Sequence, residues 1–197
     1  MNSTPKANLR GEALREKVLS TALQLFSDKG YFNASVHDIR KAAGVSTGAI
    51  YHHFENKEAL AKALYESLLV EMNQAVEKAR QSKQGCYEQS RAVIKTMFQL
   101  TIEKPKEMQF VLLAQHREYL RDEPPICSSK PFQVMKSIVD QGMANGEVRQ
   151  MDSWVAAAMM FGGAIRMMGL QLDDVLDVPL NEVVDQVVES AWLGVKA

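Results

Sequence analysis

The chain has 197 residues, and its 23 Lys and Arg against 24 Asp and Glu give a formal net charge of −1. Hydrophobic residues make up 46% of the chain, which is typical of a soluble globular protein and argues against intrinsic disorder. Two cysteines without a CxxC pair argue against a disulfide scaffold, and no uncharged apolar stretch reaches the roughly 17–25 residues of a membrane span.

Apolar residues recur at spacings of three and four along the chain, and none alternate over a strand length. The pattern predicts an all-α fold of about nine helices. The first runs from about Leu9 to Lys29. Ser35, with Asp38 three residues on, resembles a capping box at the start of a short second helix. Gly44 ends that helix, and Ser46 is a candidate N-cap for the third.

Six further helices are predicted from caps, glycines and prolines, over about 57–79, 87–103, 106–120, 131–146, 153–172 and 181–192. We expect the first three helices to form a helix-turn-helix bundle over residues 1–55. The remaining helices would form a regulatory domain over residues 56–197.

The second and third helices, joined at the turn 43–46, have the arrangement of a helix-turn-helix. The second helix of such a pair enters a DNA major groove about 12 Å wide, with its N-terminal residues at base edges. Its outward residues here are Ser46, Thr47, Tyr51 and His52. None is acidic and all can form hydrogen bonds, which favours binding in a groove lined with bases and phosphates.

Two sequence motifs in this region are specific enough to indicate a protein family. Residues 42–46 read Ala-Ala-Gly-Val-Ser, and residues 50–60 read Ile-Tyr-His-His-Phe-Glu-Asn-Lys-Glu-Ala-Leu. Over about the first third of the chain, they resemble the tetracycline-repressor (TetR) family of bacterial regulators. The resemblance implies a nine-helix homodimer and a phosphate-binding role for Lys57. Together with the outward positions, it gives these DNA-binding candidates: Ser35, His37, Ser46, Thr47, Gly48, Ala49, Tyr51, His52, His53 and Lys57.

The last two predicted helices carry apolar residues suited to helix packing. From Trp154 to Leu172 the spacing is close to 3.5 residues, as in a packed helical seam. An intramolecular core or a dimer interface would both use such a seam. The family resemblance favours a four-helix dimer interface over about 152–197. Its candidates are Trp154, Ala158, Phe161, Ile165, Val184, Val187, Ala191 and Trp192.

Methionine is abundant, with 11 residues concentrated in the C-terminal two-thirds of the chain. Each one alone is explained by ordinary core packing. Together they favour a pliable apolar pocket within about 86–172, because Met adapts its shape to irregular space. The candidates for binding a lipophilic effector are Met97, Met108, Gln115, His116, Tyr119, Met135, Met159 and Arg166.

The predicted function is a transcriptional repressor that a small apolar ligand releases from a palindromic operator. No cofactor is expected, and no nucleophile elbow, P-loop, dinucleotide fingerprint or zinc signature indicates an enzyme. No metal site is expected either, because His52 and His53 are adjacent and diverge on a helix. Without an apolar leader at the N-terminus, a cytoplasmic protein with no membrane partner is expected. The alternative is a helical adaptor without DNA binding of its own.

Overall fold

The computed structural model of the protein describes residues 5–114 and 116–197, with side chains from residue 11 onward. Its described part is all-α, as predicted, apart from one isolated bridge between Val148 and Lys196. Its α helices, in chain order, are α1 (Pro5–Lys29), α2 (Val36–Ala43), α3 (Thr47–His53), α4 (Lys57–Gln81), α5 (Cys86–Glu103), α6 (Pro105–Leu112), α7 (Lys130–Ala144), α8 (Ser153–Leu172) and α9 (Val184–Val195).

The sixth helix is shorter than the sequence pattern predicts. It ends at Leu112, not near Leu120, and a short 3₁₀ helix follows over His116–Glu118. Tyr119 and Leu120 continue the apolar spacing, but they are buried outside any α helix. Their apolar character therefore reflects tertiary burial and not a continuing helix.

Two other helix starts also differ from the prediction. α1 is already helical at Pro5, the first described residue, whereas the pattern predicts a start near Leu9. α9 begins at Val184, because a 3₁₀ helix occupies Leu180–Glu182, where Asn181 was expected as the cap.

The chain forms two compact units. The first unit contains the described residues up to Ser67 together with those of Ala114–Asp122, and the second contains Leu68–Leu113 and Glu123–Ala197. The compact units thus divide within α4, and the domain boundary predicted between residues 55 and 56 stays a prediction. The order of the residues along the chain does not predict that Ala114–Asp122 belongs to the first unit.

The core of the first unit joins the apolar faces of its three N-terminal helices, which contact one another pairwise. Each helix contributes residues that are almost fully buried. They are Val18, Ala22 and Phe26 from α1, Ile39 and Ala43 from α2, and Ile50 with the following Phe54 from α3. This packing fixes which face of α3 remains in solvent.

The second unit is built around α5, which packs against α6, α7, α8 and α9. α7 approaches the start of α5 at Gly142. A methyl group at Gly142 would lie 2.8 Å from the Cys86 Cβ and Sγ atoms and 2.9 Å from Val148. Burial raises the pKa of the Cys86 thiol to about 11, so Cys86 is an inert, neutral part of this contact.

α8 is long and apolar enough to cross a membrane, contrary to the expectation that no segment of the chain would be. Length and composition alone are weak evidence, since the core helix of a protein outside the membrane has the same features. α8 packs against α5, α6, α7 and α9, and Met160 and Met168 lie in the core. Helix packing therefore accounts for the buried part of its apolar composition, while Trp154, Val155 and Met159 remain exposed.

We predict that Gly142→Ala destabilises the second unit by about 1–3 kcal/mol, because the added methyl overpacks the contact with the side chains of Cys86 and Val148. Urea unfolding followed by circular dichroism measures the loss. Gln141→Ala, at the exposed neighbouring position of α7, is the control and should unfold like the unchanged protein. Equal stability of the Gly142→Ala variant would contradict the close approach.

Candidate nucleic-acid interface and effector pocket

The start of α2 is fixed by the predicted capping box, which the structure confirms. The Asp38 backbone N–H donates to Ser35 Oγ at 3.1 Å, and the Ser35 backbone N–H donates to the Asp38 carboxylate at 3.0 Å. The Ser35 hydroxyl also donates to that carboxylate, and these hydrogen bonds lower the pKa of Asp38. Ser35 and His37 both lie exposed at this end of α2.

The turn between α2 and α3 depends on Gly44. Its φ of 64° lies in the left-handed region, where a side chain is strained, and its N–H closes α2 on the carbonyls of Arg40 and Lys41. Ser46 then begins α3, with its hydroxyl accepting from the Ala49 N–H at 3.2 Å. These local interactions orient α3 relative to α2.

α3 has a buried face and an exposed polar face. Ile50 and Phe54 are 1% and 4% exposed, and Ala49 and His53 are half-buried. A methyl group at Gly48 would meet no atom within 4 Å, so the tip of α3 allows close approach of another molecule. The predicted contact residues on its exposed face are Ser46, Thr47, Gly48, Tyr51 and His52.

Lys57, the expected phosphate-binding lysine, contacts the turn between α1 and α2. Its ammonium donates to the carbonyl of Tyr31 at 2.9 Å and to that of Ala34 at 3.1 Å, and it lies 4.1 Å from the centroid of the Tyr31 ring. Burial lowers the pKa of Lys57. An ammonium has three N–H donors, so at most one remains for a phosphate while both hydrogen bonds persist.

Within the described ranges 5–114 and 116–197, no three His, Cys, Asp or Glu side chains form a group that could hold a metal ion. The rings of His52 and His53 are in edge-to-face contact, with centroids 5.1 Å apart and planes inclined by 76°.

The second unit contains a pocket of about 320 Å³ between α4, α5 and α6, which we call the effector pocket. Apolar side chains line its walls, and four charged residues lie among them. Lys104 and Glu71 form an ion pair of 2.9 Å. The lining residues are Leu68, Glu71, Met72, Gln74, Ala75, Lys78, Leu100, Lys104, Glu107, Met108 and Val111.

The residues predicted to bind an effector are not brought together. Only Met108 lines the effector pocket. Met97 and Met135 are buried in α5 and α7, Met159 and Arg166 are exposed on α8, and His116 and Tyr119 lie in the first unit, while Gln115 lies outside the described residues. Sequence reasoning missed the wall supplied by α4, which lies outside the range 86–172 predicted for the pocket.

The predicted dimer residues divide into a surface set and a core set. Trp154 and Ala158 are exposed on α8. Phe161 and Val184 are 3% and 6% exposed, so they pack inside their own protomer and are removed from the candidate interface. The half-buried members of the predicted set are Ile165, Val187, Ala191 and Trp192. The exposed neighbours that sequence reasoning missed are Val155, Met159 and Leu193.

The three N-terminal helices of the first unit, with α3 exposed, define a helix-turn-helix protein. A model of the bacterial regulatory proteins of the tetR family matches residues 18–64, and a model of the tetracyclin repressor-like C-terminal domain matches residues 65–197. The chain therefore belongs to the tetR family of bacterial regulatory proteins.

Individual relatives agree with this assignment. The regulator UidR of Escherichia coli K12 is 34% identical over 82 residues, which cover 41% of this chain and 40% of UidR. The chain thus matches about two fifths of that relative's length.

Two solved structures share the fold at 21% identity. A TetR family regulator from Marinobacter aquaeolei VT8 has a TM-score of 0.82, covering 96% of this chain and 98% of its own. FadR of Bacillus subtilis, solved in complex with stearoyl-CoA, has a TM-score of 0.76 and covers 91% and 98%.

We predict that Lys57→Ala weakens binding to all DNA sequences alike and reduces the slope of log affinity against log salt by about 0.9, the contribution of one phosphate. It should also lower the melting temperature, because two backbone carbonyls lose their donor. Fluorescence anisotropy over a salt series measures the slope. Lys95→Ala, which removes an exposed charge from α5, is the control, and an unchanged slope in Lys57→Ala would exclude the phosphate contact.

Proposed function

We propose that the protein is a homodimeric cytoplasmic repressor that binds a palindromic operator through α3 and leaves it when an amphiphilic effector fills the effector pocket. The exposed polar face of α3 is the observation that carries this proposal. The protein would act by binding alone, without catalysis.

The proposed DNA contacts come from the N-terminus of α3 and from the start of α2. Thr47 and Gly48 lie at the exposed N-terminus of α3, which is the end that meets base edges in such motifs. Tyr51 is 52% exposed one turn further along and would contact a base or a phosphate. Ser35 and His37, exposed at the start of α2, would contact the backbone of the same duplex.

Dimer formation is supported by exposed apolar residues on α8 and α9. Trp154 is 49% exposed, Val155 is 51% exposed and Leu193 is 63% exposed. Val155 and Met159, one helical turn apart on α8, form an exposed apolar pair, and exposed apolar surface is typical of protein interfaces. A methyl group at Gly163 of α8 would meet no atom within 4 Å in the protomer, so a helix of a second copy could approach closely there. A dimer would present two α3 helices to half-sites about 34–36 Å apart.

The effector pocket favours a ligand with an apolar chain and an anionic head. Leu68, Met72 and Val111 provide apolar wall. Lys78 and Lys104 lie among the lining residues with Glu71 and Glu107, and because Lys104 pairs with Glu71, Lys78 would receive an anionic head. Its volume of about 320 Å³ falls at the lower end of the range for small-molecule sites. Stearoyl-CoA, bound in the FadR structure, has this chemistry, and we propose an acyl-CoA or similar amphiphile for this chain.

The effector would act through α4. The N-terminal part of that helix carries Lys57 in the first unit, and Leu68 and Met72, further along it, line the pocket in the second. A ligand shifts a conformational equilibrium only by its difference in affinity for the two states. The effector would therefore weaken operator affinity, typically by about 5–150-fold, and the operator would weaken effector affinity by the same factor.

Selection of bound duplexes from random DNA tests the DNA-binding part of this proposal. We expect enrichment of a palindrome and affinity that falls steeply with salt. Gly163→Glu should yield a monomer in sedimentation and lose preference for the full palindrome, whereas Ala144→Glu, at an exposed position of α7, should stay dimeric. A folded wild-type protein that enriches no sequence would indicate a helical adaptor instead.

Pocket occupancy is tested by Ala75→Phe, which places a ring at a half-buried lining position of α4. We expect this variant to bind the operator normally but to resist release by stearoyl-CoA, because the ring fills the space for the chain. The control is Ala144→Phe, which should respond like the wild type. Release of the Ala75→Phe complex at wild-type stearoyl-CoA concentrations, or release by coenzyme A alone, would contradict an acyl chain in this pocket.

A further inference from the structure

The segment Ala114–Asp122, which follows α6, belongs to the first unit, and Tyr119 contacts the turn between α1 and α2 there. Its ring stacks on the ring of Tyr31, with centroids 3.7 Å apart and planes inclined by 11°. Tyr119 is only 9% exposed. The stacked pair therefore connects a distant part of the chain to the helix-turn-helix.

Tyr31 also contacts the Lys57 ammonium. The Nζ atom lies over the Tyr31 ring, 4.1 Å from its centroid, and it donates to the Tyr31 carbonyl. A ring stacked at 3.7 Å occupies one face of Tyr31, so the ammonium uses the other face. Tyr31 is thus held between Tyr119 and Lys57.

The position of Tyr119 is fixed by a second set of contacts. Its hydroxyl is hydrogen-bonded to Nδ1 of His116 at 2.8 Å, and the His116 ring packs on Tyr65 of α4 at a centroid distance of 4.2 Å. Burial raises the pKa of Tyr119 well above its ordinary value, so the phenol stays neutral. The segment is therefore attached both to α4 and to the turn after α1.

We propose that Tyr119 is a positioning residue for DNA binding, which holds the Lys57 ammonium in place through Tyr31. This inference rests on the proposed contact between Lys57 and a DNA phosphate. The desolvated ammonium depends on a small set of partners, and Tyr31 supplies both a carbonyl and an aromatic face. Loss of the stacked Tyr119 ring removes a support of the Tyr31 ring, and with it the fixed position of the aromatic face over which the Lys57 ammonium lies.

The same contact places the effector response within reach of Lys57. Met108 and Val111 of α6 line the effector pocket, and α6 ends at Leu112, just before the segment that carries Tyr119. A ligand that displaces α6 would shift Tyr119 and, through the stacked Tyr31 ring, Lys57. This route runs along the chain and is separate from the one through α4.

Operator titrations over a salt series test the role of Tyr119. Tyr119→Leu should lower affinity by about fivefold to tenfold, the size expected for loss of a ring contact, and reduce the salt slope by about 0.9. Tyr119→Phe keeps the ring and should retain the wild-type affinity and salt slope. Because both residues act on one contact, the double variant Lys57→Met/Tyr119→Leu should bind no more weakly than Lys57→Met alone. Phe132→Leu, which removes a half-buried ring of α7 in the second unit, should leave the slope unchanged.

An NMR measurement without DNA tests the positioning step directly. Protons of the Lys57 side chain lie over the Tyr31 ring, so their resonances should be shifted upfield. Tyr119→Leu should reduce that shift, Tyr119→Phe should retain it, and Tyr119→Met provides a second ring-free variant if the leucine variant does not fold.

An unchanged Lys57 shift in a folded, ring-free variant, or additive losses in the double variant, would overturn the inference. A wild-type protein that binds no operator would instead refute the proposed function, while the NMR result would still decide whether Tyr119 positions Lys57.

Discussion

The first unit depends on a partly buried charge at the start of α4. The Lys57 ammonium is stabilised by two carbonyls of the α1–α2 turn and by the Tyr31 ring. A desolvated ammonium is costly without such partners, and carbonyls in a turn need donors just as much. One interaction therefore satisfies both requirements and joins α4 to the turn. The capping box at Ser35 then sets the direction of α2, and Gly44 sets that of α3.

α4 links this arrangement to the effector pocket. Its N-terminus carries Lys57, while its later residues form one wall of the pocket. The chain also returns to the first unit after α6, where Tyr119 stacks on Tyr31. The chain thus joins pocket-lining helices to the proposed phosphate contact in two places, along α4 and through the segment whose Tyr119 stacks on Tyr31. Under the proposed function, a ligand that changes either connection would bias DNA affinity, and the size of the response would be limited by its differential affinity for the two states.

α8 shows how one helix serves two kinds of packing. Met160 and Met168 face the core, while Val155 and Met159, on the opposite side of the helix, remain in solvent. Gly163 leaves room for close backbone approach. A helix that is apolar on both faces has the composition of a membrane span, although the proposed role needs only an intramolecular partner on one face and a second copy on the other.

The sequence by itself determined the local features. Ser35, Gly44 and Ser46 act on backbone groups within a few residues, so the helix-turn-helix and its exposed face could be predicted without tertiary information. Only the tertiary structure decided which apolar residues face the core, a ligand or another copy. Phe161 has the same helical spacing as Trp154 but is buried, and Tyr119 looked like a pocket residue but stacks in the first unit. Apolar burial is non-directional, so a sequence pattern records that a residue avoids water and not what covers it.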